Sequence, residues 1–287
     1  MMGAHHAVCG AAAWLAVSTK VHVDLTAVTA HTPVGPVAFD LGLGLLHLGP
    51  VGVLAGALVT AGAALVPDAD HHSATIAHSL PPVSNMLCGG VETIAGGHRH
   101  GTHSLLGVAV FTAIAWFAGL WVYPIPHLGT VNLGAGILAV VLIAFAAKAL
   151  RLIPDSRTLA PWVVGLLGGA LITFIAPTEQ WWLPLAMFLG VTVHILGDML
   201  TTGGVNLLWP LVWRPPSLLG KSPVAGWMWK PNGYLAVPVL GDAGSVREWL
   251  LLVPLSLYTA WGLAGAVGGS IEIFMGQLNL ALHQLMA

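Results

Sequence analysis

The stretch Gly49–Val66, GPVGVLAGALVTAGAALV, is eighteen residues without a charge, and it runs straight into Pro67-Asp68-Ala69-Asp70-His71. Its length approaches the about 20 apolar residues that a lipid-crossing helix needs. Backbone groups in lipid must satisfy one another within the segment, so an isolated apolar run of this length reads as a helix. Pro67, which has no backbone N–H, helps end it. Two carboxylates two residues apart and a histidine are thus delivered at the end of an apolar helix. Like charges so close repel, and a cation beside them is a natural way to hold both ionised.

Outward from this stretch the pattern recurs. Apolar segments lie at about 6–20, 104–123, 131–149, 161–177, 181–200 and 249–275, joined by Pro- and Gly-rich connections at 31–50, 67–103, 124–130, 151–160 and 201–248. Nine Lys plus Arg and eleven Asp plus Glu serve 287 residues, 56% of residues are hydrophobic, and the mean hydropathy is +0.85. Soluble domains carry roughly 25% charged residues. The chain therefore reads as all-α, a polytopic transmembrane bundle of about six to seven helices. It forms one membrane-embedded domain over 1–287, with its motifs in about 6–210 and no internal repeat. The first segment lacks the basic leader of a secretory signal and stays as a short helix, spanning or re-entrant. A net charge of -2 offers nucleic acid no basic surface. Cys9 and Cys88 are too few for a disulfide framework and are expected to be free thiols. Trp121, Trp181, Trp182, Trp209, Trp213, Trp227, Trp229 and Trp249, near segment ends or in the following loops, suit an interfacial aromatic belt.

Threading these segments through a bilayer brings the ionisable clusters to one face. If His6 begins on that face, segment 49–66 returns to it with Asp68, Asp70 and His71; segment 104–123 leaves it just after His98 and His103. Segment 181–200 then comes back with His194 and Asp198 in its last turns. The same path puts Arg99, Lys148, Arg151, Arg157, Arg214, Lys221, Lys230 and Arg247 on that face and Lys20 alone on the other. By the positive-inside rule the clusters face the cytoplasm, at the inner side of the cell membrane. His22, His31, His47, His127 and His283 fall on the opposite side.

His194 and Asp198 are four apart, so both side chains share one helix face, a spacing that suits chelation of one ion. Imidazole nitrogen with carboxylate oxygen fits Zn²⁺, Mn²⁺ or Fe²⁺ better than Ca²⁺ or Cu⁺. In Gly96-Gly-His-Arg-His-Gly-Thr-His-Ser104, glycines let backbone approach a ligand, and a helix N-terminus follows. Arg99 suits phosphoryl oxygens. Thr102 and Ser104 read as supporting hydrogen-bond partners or caps, with Ser104 the cap. His5 and His6 both start the first segment, and either can complete the site; His72 and His78 read as loop residues. Gly101, Gly203 and Gly204 have the freedom to shape a lid.

These blocks resemble the LexA-regulated, membrane-bound, metal-dependent hydrolases: an N-terminal His, Leu-x-Pro-Asp-x-Asp-His, Gly-His-Arg-x-x-Thr-His-Ser, and His-x-x-x-Asp-x-Leu-Thr followed by Gly and Trp-Pro. Here they stand as His6, Leu65 to His71, Gly97 to Ser104, and His194 to Thr201 with Gly204 and Trp209-Pro210. Residues 211–287 add little to the match. The resemblance implies a helical metallohydrolase whose site is similar to those of zinc-dependent phospholipase C and the single-strand-specific P1-type nucleases. It implies His6, Asp68, Asp70, His71, His98, His103, His194 and Asp198 as metal ligands, holding two or three zinc ions. No second His-x-x-x-Asp or His-x-x-x-Glu pair is present, which leaves the number of ions open; His100 falls on a variable position and is left out.

The expectation is a hydrolase acting on a phosphoester, with phospholipid the first substrate considered. Metal-activated water would be the nucleophile, Asp68 or Asp70 a bridge or general base, and Arg99 the group that stabilises phosphoryl charge. The competing expectation is a metal-ion or proton transporter built on the same cluster.

Overall fold

The computed structural model describes residues 1–33, 35–79, 81–127, 129–153, 159–175, 181–216, 222 and 225–286. The chain runs α1 (Gly3–Ser18), β1 (Val21–Asp24), α2 (Thr26–Thr29), β2 (Ala38–Leu41) and α3 (Pro50–Ala63). A 3₁₀ turn (Val66–Asp70), α4 (Val83–Ala95), a second 3₁₀ turn (Gly101–His103) and α5 (Leu105–Gly119) follow. Then come β3 (Tyr123–Ile125), β4 (Gly129–Val131), α6 (Leu133–Ala149), α7 (Ala160–Ile175), α8 (Trp182–Met199), the short α9 (Ala225–Met228) and the long α10 (Val246–Met286). The two strand pairs are small antiparallel hairpins, so the molecule is a helical bundle.

Among the described residues, three helices are long and apolar enough to cross a membrane: Pro50–Asp70, which joins α3 to its 3₁₀ extension, Trp182–Met199, and Val246–Leu280. The expected six to seven spans are thus not all of that class. α5, α6 and α7 are apolar but shorter, at 15, 17 and 16 residues. At 1.5 Å per residue they reach about 23–26 Å against a hydrocarbon core of about 30 Å. α1 has 16 residues and packs inside the bundle with Trp14 and Leu15 fully buried.

Part of what reads in sequence as connection is ordered. α4 lies inside 67–103 and stops at Gly96, which adopts φ 79, a left-handed conformation that costs glycine little. Residues 201–241 hold a set of isolated bridges: Thr201 with Gly241, Val205 with Leu235, and Trp229 with Leu235. Among the tryptophans assigned to a belt, Trp182 is instead buried at 3% exposure, whereas Trp121, Trp181, Trp213, Trp227 and Trp249 are exposed. Both cysteines are free.

α3 is the hub, packed against α1, α6, α8 and α10. Small residues let these backbones approach, as lipid-embedded helices require. A Cβ on Gly62 would stand 2.0 Å from the Leu142 carbonyl oxygen of α6, and one on Gly190 of α8 2.6 Å from the Ala63 Cβ. Gly62→Ala must push α3 from α6, and overpacking of this kind costs about 1–3 kcal/mol. The expected result is a lower melting temperature in detergent, while Gly89→Ala, where nothing lies within 4 Å, leaves it unchanged or higher.

The start of α1, the end of α3, the start of α5, the end of α8 and the start of α10 meet at one end of the bundle, as the ion pairs among them require. Lys148, Arg151, Lys230 and Arg247 lie near that end, while Lys20 pairs with Asp40 on the β1–β2 hairpin beyond the far end of α1. Arg157 and Lys221 lie outside the described residues.

Candidate metal centre

Two buried histidines aim the same nitrogen at one point. His194, on the next-to-last turn of α8, donates from Nδ1–H to the Ala64 carbonyl at 2.6 Å; a carbonyl only accepts, so Nε2 carries the lone pair. His103, at the end of the second 3₁₀ turn, presents Nδ1 to Asp70 Oδ2 at 3.1 Å, which fixes its tautomer the same way. Both rings are fully buried, and their Nε2 atoms are 3.1 Å apart. Two lone pairs at that distance repel unless a cation or proton lies between them.

Two carboxylates complete the figure. Asp68 Oδ1 lies 3.9 Å from His103 Nε2 and 3.6 Å from His194 Nε2; Asp198 Oδ2 lies 3.6 and 4.0 Å from the same atoms. Donors around a tetrahedral zinc with bonds of about 2.0–2.2 Å stand about 3.4 Å apart. Asp68, His103 and His194 approach that figure as one grouping, and Asp198 meets His194 again in a second grouping with His6. Asp198 is buried, whereas the Asp68 side chain is 20% exposed and forms the open side.

His6 flanks this centre through α1. Its ring stacks on His194 with centroids 3.6 Å apart, its Nε2 is 3.3 Å from Asp198 Oδ1, and its Nδ1 is buried without a hydrogen-bond partner. The Met1 ammonium also reaches Asp198 Oδ1, at 2.6 Å. His5, one residue away, points elsewhere: it bonds the buried Glu248 of α10, which also accepts from the Met2 and Gly244 N–H groups.

Asp70 is the most heavily bonded acid in the site. Oδ1 accepts from His98 Nδ1–H at 2.8 Å, and Oδ2 from the Arg99 backbone N–H at 3.0 Å, from the Thr102 hydroxyl and from His103 Nδ1–H. Three donor groupings compact enough for an ion result: His6, His194 and Asp198; Asp68, His103 and His194; Asp70, His98 and His103. His71 belongs to none of these groupings among the described residues. It sits at the rim with its ring 4.4 Å from that of His98, its Nδ1 accepting from the Ser73 N–H, and its pKa lowered by burial and then by His98.

Arg99 sits at φ 64, and its Nε is 3.0 Å from Asp198 Oδ2, an ionic contact off the N–H direction. Ser104 caps α5 by accepting from the Gly107 N–H. Gly203, Gly204 and Gly101 are close-packing positions rather than a lid. Gly203 lies under the Arg99 guanidinium, Gly204 (φ 65) against Leu235, and Gly101 against Ala95 and Trp209.

Three residues in or behind the site went unread in the sequence. Lys230 donates to the carbonyls of Thr202 and Gly203, and burial, with Arg99 nearby, lowers its pKa. The Tyr234 hydroxyl lies 3.3 Å from either ring nitrogen of His100 and 3.4 Å from the His98 carbonyl; burial raises its pKa. Glu248 is the third. Each stands alone in sequence, with no repeated spacing to signal it.

A helical membrane protein with a buried His/Asp cluster at one end of its bundle is the class that fold and site define. The chain belongs to the YdjM inner membrane protein family, whose match covers residues 1–268. No curated protein and no solved structure matches it.

Proposed function

We propose that the chain is a membrane-embedded, metal-dependent hydrolase of phosphoesters whose site faces the cytoplasm. The observation that carries this reading is the pair of His103 and His194 Nε2 lone pairs 3.1 Å apart, with Asp68 grouped with both and Asp198 within 4.0 Å of each. Asp68, His103 and His194 would hold the principal ion with Asp198 beside them, zinc being best matched to the donor set and Mn²⁺ or Fe²⁺ next. His6, on the other oxygen of Asp198, and His98 with His71 are the donors for a second or third. When bound, a divalent ion supplies Lewis acidity and lowers the pKa of water toward about 7.

The remaining roles follow from the partners each residue has. Asp70, saturated by four donors, orients His103 and braces the turn that carries Arg99. That leaves Asp68, on the open side, to take the proton of the incoming water. Arg99, held beside the cluster, stabilises charge on the phosphoryl oxygens. The site's position at the end of membrane helices favours a phosphoester carried by lipid. The similarity to zinc-dependent phospholipase C and P1-type nucleases belongs to this proposal and concerns the donor set alone.

The test is hydrolysis of phosphate mono- and diesters by detergent-purified protein, with and without chelator, beside Arg99→Lys. Zinc-dependent activity is expected, falling about 10²–10³-fold in kcat for the variant with its zinc content unchanged, because a lysine cannot reproduce the guanidinium fork. Undiminished hydrolysis in chelator, or full activity in Arg99→Lys, would contradict the assignment.

A further inference from the structure

Gly203 carries two cations. The Arg99 guanidinium lies so close over it that a Cβ there would stand 1.4 Å from Nη1, and the Lys230 ammonium donates to its carbonyl at 3.0 Å. Arg99 comes from the turn after α4, and Lys230 from the far side of a hairpin closed by Lys230 N–H on the Tyr234 carbonyl. The two are held together by the intervening segment: the Asn206 N–H donates to the Arg99 carbonyl at 3.1 Å, and Val205 exchanges hydrogen bonds with Leu235 at 3.0 and 2.9 Å. Arg99 meets Asp198 through Nε and turns its Nη atoms to Gly203, whereas among the described residues no carboxylate lies within 4.0 Å of Lys230 Nζ. Fixed like charges on one residue repel unless an anion joins them.

We propose that Arg99 and Lys230 form the binding site for a doubly charged phosphoryl group, which makes the substrate a phosphate monoester rather than a diester. This rests on the hydrolase reading above and sharpens it. A diester carries one negative charge, which a single cation beside a metal ion already balances. A monoester near neutral pH carries close to two, and a guanidinium plus an ammonium on the same floor match it. Hydrolysis forms a new P–O bond to the water oxygen and breaks the ester P–O bond; the proton leaves with the alcohol, and orthophosphate remains on the two cations. Tyr234 is a positioning residue. Its hydroxyl meets His100 and the His98 carbonyl, on both sides of Arg99, and so ties the Lys230 hairpin to the Arg99 turn.

The test measures binding, not turnover. Calorimetry on the zinc-supplemented, detergent-purified full chain compares inorganic phosphate with dimethyl phosphate. Inorganic phosphate is expected to bind about tenfold tighter or more. Lys230→Gln should erase that preference with zinc content unchanged, and Lys230→Arg should keep it. Equal affinities in the unaltered protein would overturn the proposal without any variant being made, as would a preference that survives in folded Lys230→Gln. Phosphate binding that depends on Lys230 in a protein that takes up no zinc would uphold the anion site while sinking the metal reading. Zinc uptake without a preference for inorganic phosphate would do the reverse. Vesicles containing a lipid phosphate monoester, compared with the soluble ion, show whether lipid is the source of the group.

Discussion

Replacing His194 with alanine is expected to strip divalent metal from the purified protein while the bundle stays assembled. His194, like His103, faces both Asp68 and Asp198, and it also stacks on His6. Its loss removes a ligand and leaves the Ala64 carbonyl, where α3 ends, without its partner. With the donor that two of the groupings share gone, affinity should fall by about 10²-fold or more, since even the groups behind metal ligands are worth 10–100-fold. His5→Ala is the informative contrast. It strips the buried Glu248 of its imidazole and should destabilise the junction of α1 with α10, yet zinc content should hold, because His5 does not face the cluster. Zinc retained at full occupancy by His194→Ala, or lost equally from folded His5→Ala, would contradict the placement.

Asp70→Ala carries the second large effect, and for a different reason. The substitution leaves two imidazole N–H groups, one backbone N–H and one hydroxyl converging on an empty, fully buried space. Removing one partner of such a buried charged network costs about 3–5 kcal/mol. The chain should therefore melt well below the unaltered protein and bind metal poorly, because nothing then fixes the His103 tautomer. Asp70→Asn separates the two consequences. Its amide keeps the shape and one acceptor oxygen, so most of the stability should return while metal affinity stays about 10–100-fold down. If Asp70→Asn binds zinc as tightly as the original, Asp70 does not act through His103.

How much of this was legible in the sequence depends on what kind of signal each residue leaves. The apolar run before Pro67 and the His/Asp blocks at segment ends were enough to bring residues 6, 68, 70, 98, 103, 194 and 198 to one place. Connectivity dictates which end of each helix a block occupies, and that needs no side-chain detail. Orientation was beyond reach. His5 and His6 are neighbours about 100° apart on a helix, so which one faces the cluster depends on how α1 rolls against α3 and α8. Asp70 reads as a ligand equal to Asp68 until the turn at 98–103 folds over it with four donors. α4 was hidden because it is short, holds Gly89 and Gly90, and gathers its apolar residues on one side of the helix instead of in an unbroken run. Lys230 and Tyr234 arrive through a hairpin whose bridges are single residue pairs, too short for any periodicity to show.

Helix length shows the same division. Hydropathy finds α5, α6 and α7 as apolar segments, but at 15 to 17 residues they fall short of the spanning class that α8 and α10 reach. Short helices packed through Gly136, Gly165 and Gly169 bury one another's backbones, so part of their apolar surface faces protein instead of lipid. Composition alone does not distinguish the two surroundings.

X-ray absorption at the zinc edge, on protein purified in detergent and supplied with zinc, tests the central claim most directly. The account predicts about one tightly held zinc or more per chain, a first shell of nitrogen and oxygen at about 2.0–2.1 Å with imidazole scattering from two histidines, and no sulfur. A chain that retains no divalent metal, or a shell containing sulfur from Cys9 or Cys88, would contradict it.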